Sequence, residues 1–291
     1  MAGSAHEWLQ LNVTLGRHDG SALASARFVL RELENLVEPR GRDGFFFQRK
    51  PPDLRLRFFD IRERLKKRLH PLISRAKSEG HIVGSFYSVY EPEYRQFGGR
   101  ACMESVHAFW STDSYSWIAM DRLAEHDALA IPHSTLMASV LDDLFGRVLV
   151  DGGEVWDTWC NLAMLVQTEG SIGGHATVPS VIETLRKNAS AAEAELVARY
   201  QQANAALAEG LSRAWHSEQM ECGVRSILPY VALFTFNRHG FDQAGMAAIA
   251  SAMAAARNLK QHLRGAQRDS RPPPGRSQHA AGMVGRPDEG Q

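Results

Sequence analysis

The most constraining feature of this sequence is the order of its strand-like and helix-like segments over the first ninety residues. Strand-like segments show alternating apolar residues or aromatic runs, and helix-like segments show apolar residues at helical spacing. The predicted elements are strands over 7–14, 45–50, 54–58 and 81–90, and helices over 19–36 and 61–77. This β-α-β-β-α-β order predicts a ferredoxin-like antiparallel sheet with two helices on one face.

From residue 101 onward the pattern becomes mostly helical, so the fold class is α+β. Predicted helices cover 101–127, 133–148, 154–168, 178–214 and 243–265. Residues 225–236 are strongly apolar and fit a buried helix or a strand, because Pro229 leaves the choice open. We expect a sheet portion over 1–100 and a helical portion over 101–265 that packs on it as one compact unit. Residues 266–291 are rich in Pro and Gly, which predicts a disordered tail.

The overall composition excludes several classes of protein. The 33 basic and 33 acidic side chains give a formal net charge of zero, which argues against a nucleic-acid-binding protein. The chain shows no signal-peptide pattern and no apolar run long enough to span a membrane. With three widely spaced cysteines, this predicts a reduced, cytoplasmic protein with no membrane association. No metal site is expected, because no Cys-x-x-Cys and no helical His pair occurs. The oligomeric state stays open.

A basic stretch from Arg49 to Lys77 holds eleven Lys and Arg against three acidic residues. The arginines at 49, 55 and 57 fall on paired strands and are expected to point into one volume, where they could hold a carboxylate or a peptide carbonyl. The helical part of the stretch is either a solvated face or a surface that binds an acidic peptide. The residues predicted to bind substrate are Arg55, Arg57, Arg64, Lys66, Lys67, Arg68 and Arg95.

The loop over residues 90–99 is the second unusual stretch. It places two tyrosines, two glutamates, an arginine and a glutamine directly after a strand and ends in Gly98-Gly99. It is either a structural loop that caps the sheet or a site of chemistry, because a rigid scaffold often carries reactive side chains on such loops. Tyr90, Glu93 and Gln96 could donate or accept protons, or polarise a carbonyl, without a cofactor.

Four groups of residues together resemble the C-terminal domain of lantibiotic dehydratases. They are Phe45–Arg49 with Leu54–Phe58, Tyr90–Glu93 with Phe97–Gly99, Phe109 with Asp113–Ser114, and Asn237-Arg238-x-Gly240. The spacing matches over about residues 8–120 and again at the closing Asn-Arg motif. Free-standing relatives of this domain occur in thiopeptide biosynthesis, so the resemblance implies an enzyme that acts on a precursor peptide.

The resemblance implies one of two chemistries. One branch of the family eliminates glutamate from glutamylated Ser or Thr, and the other joins two dehydroalanines by a formal (4+2) cycloaddition. Elimination needs a base for the α-proton and cations for the enolate and the departing glutamate. Eliminating members carry an Arg before the aromatic-Gly-Gly, a His before the Leu-Arg-Leu-Arg strand, and a His four residues before the closing Asn-Arg. This sequence has Gln96, Asp53 and Leu233 at those places.

These departures favour a pyridine synthase of thiopeptide biosynthesis, with loss of water and of the leader peptide after the cycloaddition. The predicted catalytic residues are Arg49, Tyr90, Glu93 and Gln96. The expected partner is a precursor peptide with an acidic leader, and no cofactor is expected. Two alternatives stay open: a free-standing glutamate-elimination enzyme that uses another base, and an adaptor that binds the precursor without catalysis.

Overall fold

A four-stranded sheet followed by helices makes up the computed structural model, which describes residues 7–37, 45–60, 62–167 and 190–258. The elements in chain order are β1 (Glu7–Leu15), α1 (Leu23–Leu36), β2 (Phe45–Lys50), β3 (Asp53–Asp60), α2 (Arg62–Ser78), β4 (Ile82–Val89), α3 (Arg100–Glu125), α4 (His133–Val148), α5 (Gly152–Val166), α6 (Ala191–His216), α7 (Val224–Arg238) and α8 (Gln243–Ala256). The predicted α+β class is confirmed.

The sheet has the order β2-β3-β1-β4, and every neighbouring pair is antiparallel. This is the order expected when two split β-α-β units interleave, so the ferredoxin-like prediction is confirmed. Alternation along the strands gives the sheet two different faces. One, here called the leucine face, carries Leu9, Leu11, Val13, Leu54, Leu56 and Phe58. The other, the polar face, carries Gln10, Asn12, Phe46, Gln48, Lys50, Arg55 and Arg57.

Helices α1 and α2 cover the leucine face. Their buried stripes supply apolar side chains at helical spacing, among them Val29 and Leu33 from α1 and Leu65 and Leu69 from α2. Tyr87 lies opposite Leu11 in the β1–β4 register, and the Nζ of Lys66 lies 5.7 Å from the centre of its ring. The basic helix α2 therefore lies beside β4 and on the opposite side of the sheet from Arg57.

The helical portion packs along the free edge of β2. Helices α3 and α7 contact β2, α6 packs against α3 and α4, and α5 packs against α7 and α8. The segment over 225–236 belongs to α7, which continues through Pro229. The predicted helix over 178–214 is observed from Ala191, and its residues 178–189 lie outside the described part of the chain.

The described residues through Arg257 form one compact unit with a shared hydrophobic core. Asn258 begins a second unit, of which only that residue is described. The boundary at residue 100 stays a prediction, and the predicted tail over 266–291 lies outside the described residues. In the described part of the chain, no helix combines the length and apolar character needed to cross a bilayer.

Candidate functional site

The loop over 90–99 crosses the polar face of the sheet. It must do so because β4 lies at one edge and α3, which follows the loop, lies beside β2 at the other. The loop brings the Tyr90 ring to 4.2 Å from the guanidinium carbon of Arg57. Trp8 and Phe46 hold the same ring through edge-on contacts with centroids 5.5 and 5.8 Å apart. The fold therefore joins two segments that the sequence marks separately, the Leu-Arg-Leu-Arg strand and the Tyr90 loop.

The end of this loop explains why two glycines follow the aromatic residue. Gly98 has φ +76°, and a Cβ atom there would lie 2.6 Å from Cδ1 of Ile227 in α7. A side chain would be strained both by the backbone conformation and by this contact. Phe97, just before it, packs edge-on against Trp110 and Phe234. The Phe-Gly-Gly motif thus fixes the loop against the helical portion.

A hydrogen-bonded network organises the centre of the polar face. The Nε of Arg57 donates to Oε1 of Gln10 at 2.9 Å, and Nε2 of Gln10 donates to Oδ1 of Asn12 at 2.9 Å. Asn12 in turn donates to the hydroxyl of Ser88 at 2.8 Å. These residues come from β1, β3 and β4, so the guanidinium of Arg57 is held in place by three strands.

Several buried polar atoms next to this network have no hydrogen-bond partner among the described residues. They are Oε1 and Nε2 of Gln48, Nη1 of Arg57 and Oε2 of Glu93. Gln48 is 0% exposed and Arg57 is 3% exposed, so bulk solvent does not satisfy them. A buried polar atom left without a partner costs about 1–3 kcal/mol. We call Gln48, Arg57, Tyr90, Glu93 and His107 the sheet-face cluster, a place where a polar ligand would recover that free energy.

Tyr90 forms a buried pair with His107 of α3, which the sequence did not single out. The hydroxyl oxygen lies 2.9 Å from Nε2 of the imidazole. Burial, reinforced by the charge of Arg57, lowers the pKa of His107 to about 3. Burial also raises the pKa of Tyr90 above its ordinary range. Near neutral pH both groups are therefore uncharged, and the pair offers one donor and one acceptor without a fixed charge.

Arg49 lies away from this cluster, and the expectation that it shares one volume with Arg55 and Arg57 is wrong. In the β2–β3 register Arg49 lies opposite Leu54, which places it on the leucine face. Its guanidinium lies over Trp117 at 4.9 Å, and its Nε donates to the carbonyl of Arg238 at 2.9 Å. There it lines a cavity of about 290 Å³, here called the edge cavity.

A chain of hydrogen bonds leads from a buried carboxylate to the edge cavity. Oδ1 of Asp113 lies 2.9 Å from Nε2 of His239, and Nδ1 of His239 lies 2.9 Å from Nε2 of His133, which lines the cavity. Tyr200 donates to Asp113 at 2.7 Å, and Arg238 pairs with its other oxygen. Although burial alone would raise it, the charges of His239 and Arg238 hold the pKa of Asp113 below its ordinary value. An ionised Asp113 accepts from Nε2 of His239, and the other nitrogen of His239 shares a hydrogen bond with Nε2 of His133.

The closing Asn-Arg motif has a structural role in this chain. The side chain of Asn237 accepts from the amide of Arg49 at 3.1 Å and donates to its carbonyl at 2.9 Å. The Nε of Arg238 donates to the carbonyl of Phe47 at 2.9 Å, and the hydroxyl of Ser114 accepts from the Phe47 amide at 3.2 Å. These side chains satisfy the outer edge of β2, where a further strand would otherwise pair.

The remaining predicted residues lie outside the cluster, on both sides of the sheet. Gln96 is half-buried in the same turn as Glu93, whose carbonyl accepts from the Gln96 amide at 3.0 Å, whereas Arg95 is exposed. Arg55 lies on the polar face and donates to the carbonyl of Pro51 at 3.2 Å. The residues on α2, which are Arg64, Lys66, Lys67 and Arg68, lie on the other side of the sheet and do not reach the cluster.

No group of three or more His, Cys, Asp or Glu in the described residues is placed to hold a metal ion. The histidines that the structure places in reactive surroundings, His107, His133 and His239, were not predicted as site residues. Each acts through a partner at least 17 positions away in the chain. The only related signal in the sequence was the Asp113-Ser114 pair, which contributed to the family resemblance but was given no role in the site.

Comparison with known proteins places this fold in a family. The model of the lantibiotic biosynthesis dehydratase C-terminal domain matches residues 8–257. The tRNA-dependent lantibiotic dehydratase MibB from Microbispora sp. 107891 shares the fold with a TM-score of 0.62 and 18% identity, over 92% of this chain and 29% of that one. The structure of TsrL shares it with a TM-score of 0.53 and 15% identity, over 92% of this chain and 99% of that one.

The chain thus spans less than a third of the length of MibB. Among curated protein sequences no significant match was found. Because the family model covers most of the sequence, the chain belongs to the lantibiotic biosynthesis dehydratase C-terminal family.

Proposed function

We propose that this protein is a pyridine synthase of thiopeptide biosynthesis. It joins two dehydroalanines of a precursor peptide by a formal (4+2) cycloaddition, and loss of water and of the leader peptide then completes a pyridine within a macrocycle. The observation that carries the proposal is the sheet-face cluster, where partnerless polar atoms of Gln48, Arg57 and Glu93 lie with the uncharged Tyr90–His107 pair. These groups suit a reaction that needs a held peptide and small proton movements.

The first chemical step converts one peptide amide to its imidic acid tautomer. The carboxylate of Glu93 takes the N–H proton and returns it to the amide oxygen, so that no net proton is gained or lost. The free Nη1 of Arg57 donates to that oxygen while negative charge develops on it, which is the kind of fixed donor that lowers such barriers. Gln48 offers a donor and an acceptor, and it can align a second amide.

The cycloaddition itself depends on how the two alkenes are held. Two new bonds form between the imidic diene and the second dehydroalanine, and holding both partners in register can lower the barrier by about 7–11 kcal/mol. With His107 as the Nε2–H tautomer, the Tyr90 hydroxyl hydrogen is directed at the substrate. It then hydrogen-bonds the hydroxyl that departs as water.

A mass-spectrometric assay tests this proposal. The protein is incubated with a leader-bearing peptide that contains two dehydroalanines. A pyridine synthase releases the leader as a separate product and gives a macrocycle with pyridine absorbance. A peptide that stays linear, with its leader attached, would reject the proposal and favour the non-catalytic adaptor.

One observation favours a second candidate, elimination of glutamate. The sequence shows Leu233 where eliminating members carry a histidine, but the edge cavity brings His133 and His239 beside the Arg49 guanidinium. That cavity therefore offers a base and a cation, the two groups that elimination needs. A peptide with glutamylated serine distinguishes the candidates, because elimination removes one glutamate at each modified site and leaves the leader attached.

A further inference from the structure

The outer edge of β4 is exposed in a way that folded proteins usually avoid. β4 is the last strand of the sheet, and no strand of the described residues pairs with its outer side. Three of its apolar side chains are open to solvent, since Val83, Phe86 and Val89 are 73%, 59% and 71% exposed. Natural edge strands are normally protected by charge, proline, a bulge or short length.

This strand has little of that protection. It is eight residues long and contains neither a charged residue nor proline. A register shift affects only its first residues, opposite Thr14 and Leu15. An uncharged edge with apolar side chains on both faces can accept one more strand through main-chain hydrogen bonds.

Charge indicates which strand would fit. Helix α2, which packs beside β4, contains seven Lys and Arg and one acidic residue, Glu63. Lys66 lies against Tyr87 of β4, so the basic helix borders the edge. Pairing with a second copy of this chain through β4 would bring two such helices together, and their like charges would oppose it. The positive charges of α2 would instead attract an acidic segment.

We propose that the outer edge of β4 binds an extended acidic peptide as a fifth strand of the sheet. The peptide alternates apolar residues, which lie on the polar face beside Phe86, with acidic residues on the leucine face, where Tyr87 and Val89 point towards the side of α2. The inference rests on the proposed function for the origin of this peptide, which is then the leader of the precursor. It goes beyond that function because it names a binding surface outside the sheet-face cluster.

Fluorescence anisotropy with a synthetic peptide tests the surface without turnover. The probe is a fluorescein-labelled peptide of alternating Glu and Val, matched to the eight residues of β4. Controls are the Lys–Val peptide and a Glu–Val peptide with alternate amides N-methylated, which removes the main-chain donors on one side. We expect binding of the unmodified Glu–Val peptide alone, and salt should weaken it. Bound peptide should also slow hydrogen exchange of the amides in 82–89 that point away from β1.

Protein variants locate the contact. The double change Val83→Glu with Val89→Glu should weaken binding by about tenfold, and Lys66→Glu by about threefold, because both place negative charge against an acidic strand. The matched control is Val150→Glu, since Val150 is 94% exposed and lies outside the sheet. It should leave the affinity unchanged.

Four results would overturn the inference. The first is equal binding of the N-methylated or the Lys–Val peptide. The second is binding that the β4 variants do not change. The third is a dimer in light scattering that Val89→Glu dissociates, which would assign the edge to a second copy. The fourth is protection, in the free protein, of the amides of 82–89 that point away from β1, which would assign the edge to another segment of this chain. Peptide binding at β4 without pyridine formation would support this inference and reject the proposed function.

Discussion

Replacing Asp113 with Asn removes one negative charge from the centre of the protein and changes little else in size. Asp113 and Arg238 are both fully buried and form an ion pair, and Tyr200 and His239 also bond to the carboxylate. The amide keeps part of the hydrogen bonding, but it leaves the guanidinium of Arg238 without a counter-charge. The substitution therefore isolates the cost of an uncompensated buried cation.

The expected loss is large compared with the stability of an ordinary domain. Removing one partner of a buried pair costs about 3–5 kcal/mol, against a total unfolding free energy of about 5–15 kcal/mol. An exposed pair gives the contrast, because Glu209 and Arg213 on α6 are both largely solvated. The change Glu209→Gln should cost about 0–1 kcal/mol.

Urea unfolding followed by tryptophan fluorescence measures both changes. Trp110 and Trp159 are fully buried, so their emission reports loss of the core. Asp113→Asn should move the midpoint to lower urea with an unchanged slope. Because the native pKa of Asp113 lies below its ordinary value, the charge stabilises the fold above about pH 4, and this contribution is lost as the pH falls. A loss below about 1 kcal/mol at neutral pH would refute the view that Arg238 depends on Asp113 for its charge balance.

Three further results follow from single positions. The pKa of His107 is lowered to about 3 in the native state, so below about pH 6.5 the imidazole is protonated in the unfolded state but not in the native state. The free energy of unfolding therefore falls by up to about 1.4 kcal/mol for each pH unit towards acid. His107→Gln should remove that part of the slope, and equal slopes would contradict it. Asn237→Leu leaves two backbone groups of Arg49 unpaired and should cost about 1–3 kcal/mol, with faster hydrogen exchange over 45–50; unchanged exchange would exclude the edge-capping role. Gly98→Ala should lower the melting temperature by several degrees, because residue 98 has φ +76° and the new Cβ would contact Ile227. An unchanged melting temperature would show that the loop can move to accept the Cβ.

The sheet could be predicted because its signal is local. Alternation along 54–58 and helical spacing over 19–36 each fix an element from neighbouring residues alone, and the order of elements then limits the topology. The faces were harder to predict. Arg49 was grouped with Arg57, but the two lie on opposite faces because the tight connection between β2 and β3 sets Arg49 opposite Leu54.

The sites depend on contacts that no local pattern carries. Tyr90 meets His107 only because the loop over 90–99 crosses the sheet before α3 begins, and Asp113 meets His239 across 126 positions. The sequence marked Tyr90 and Glu93 through their residue types, and the structure placed them beside Arg57. The sequence could not indicate which polar atoms are left without a hydrogen-bond partner, because that depends on the final packing.

In the proposed function, the sheet-face cluster forms the pyridine. The most direct measurement is the rate of leader release and pyridine formation from a dehydroalanine-containing precursor, followed by mass spectrometry for the native protein and Tyr90→Phe. The matched control is Tyr115→Phe, whose hydroxyl donates to the carbonyl of Val37 away from the cluster. We expect product from the native protein and the control, with a rate lowered by about 100-fold in Tyr90→Phe, as for loss of one preorganised donor. Equal rates for the two variants, or a linear peptide that keeps its leader, would contradict it.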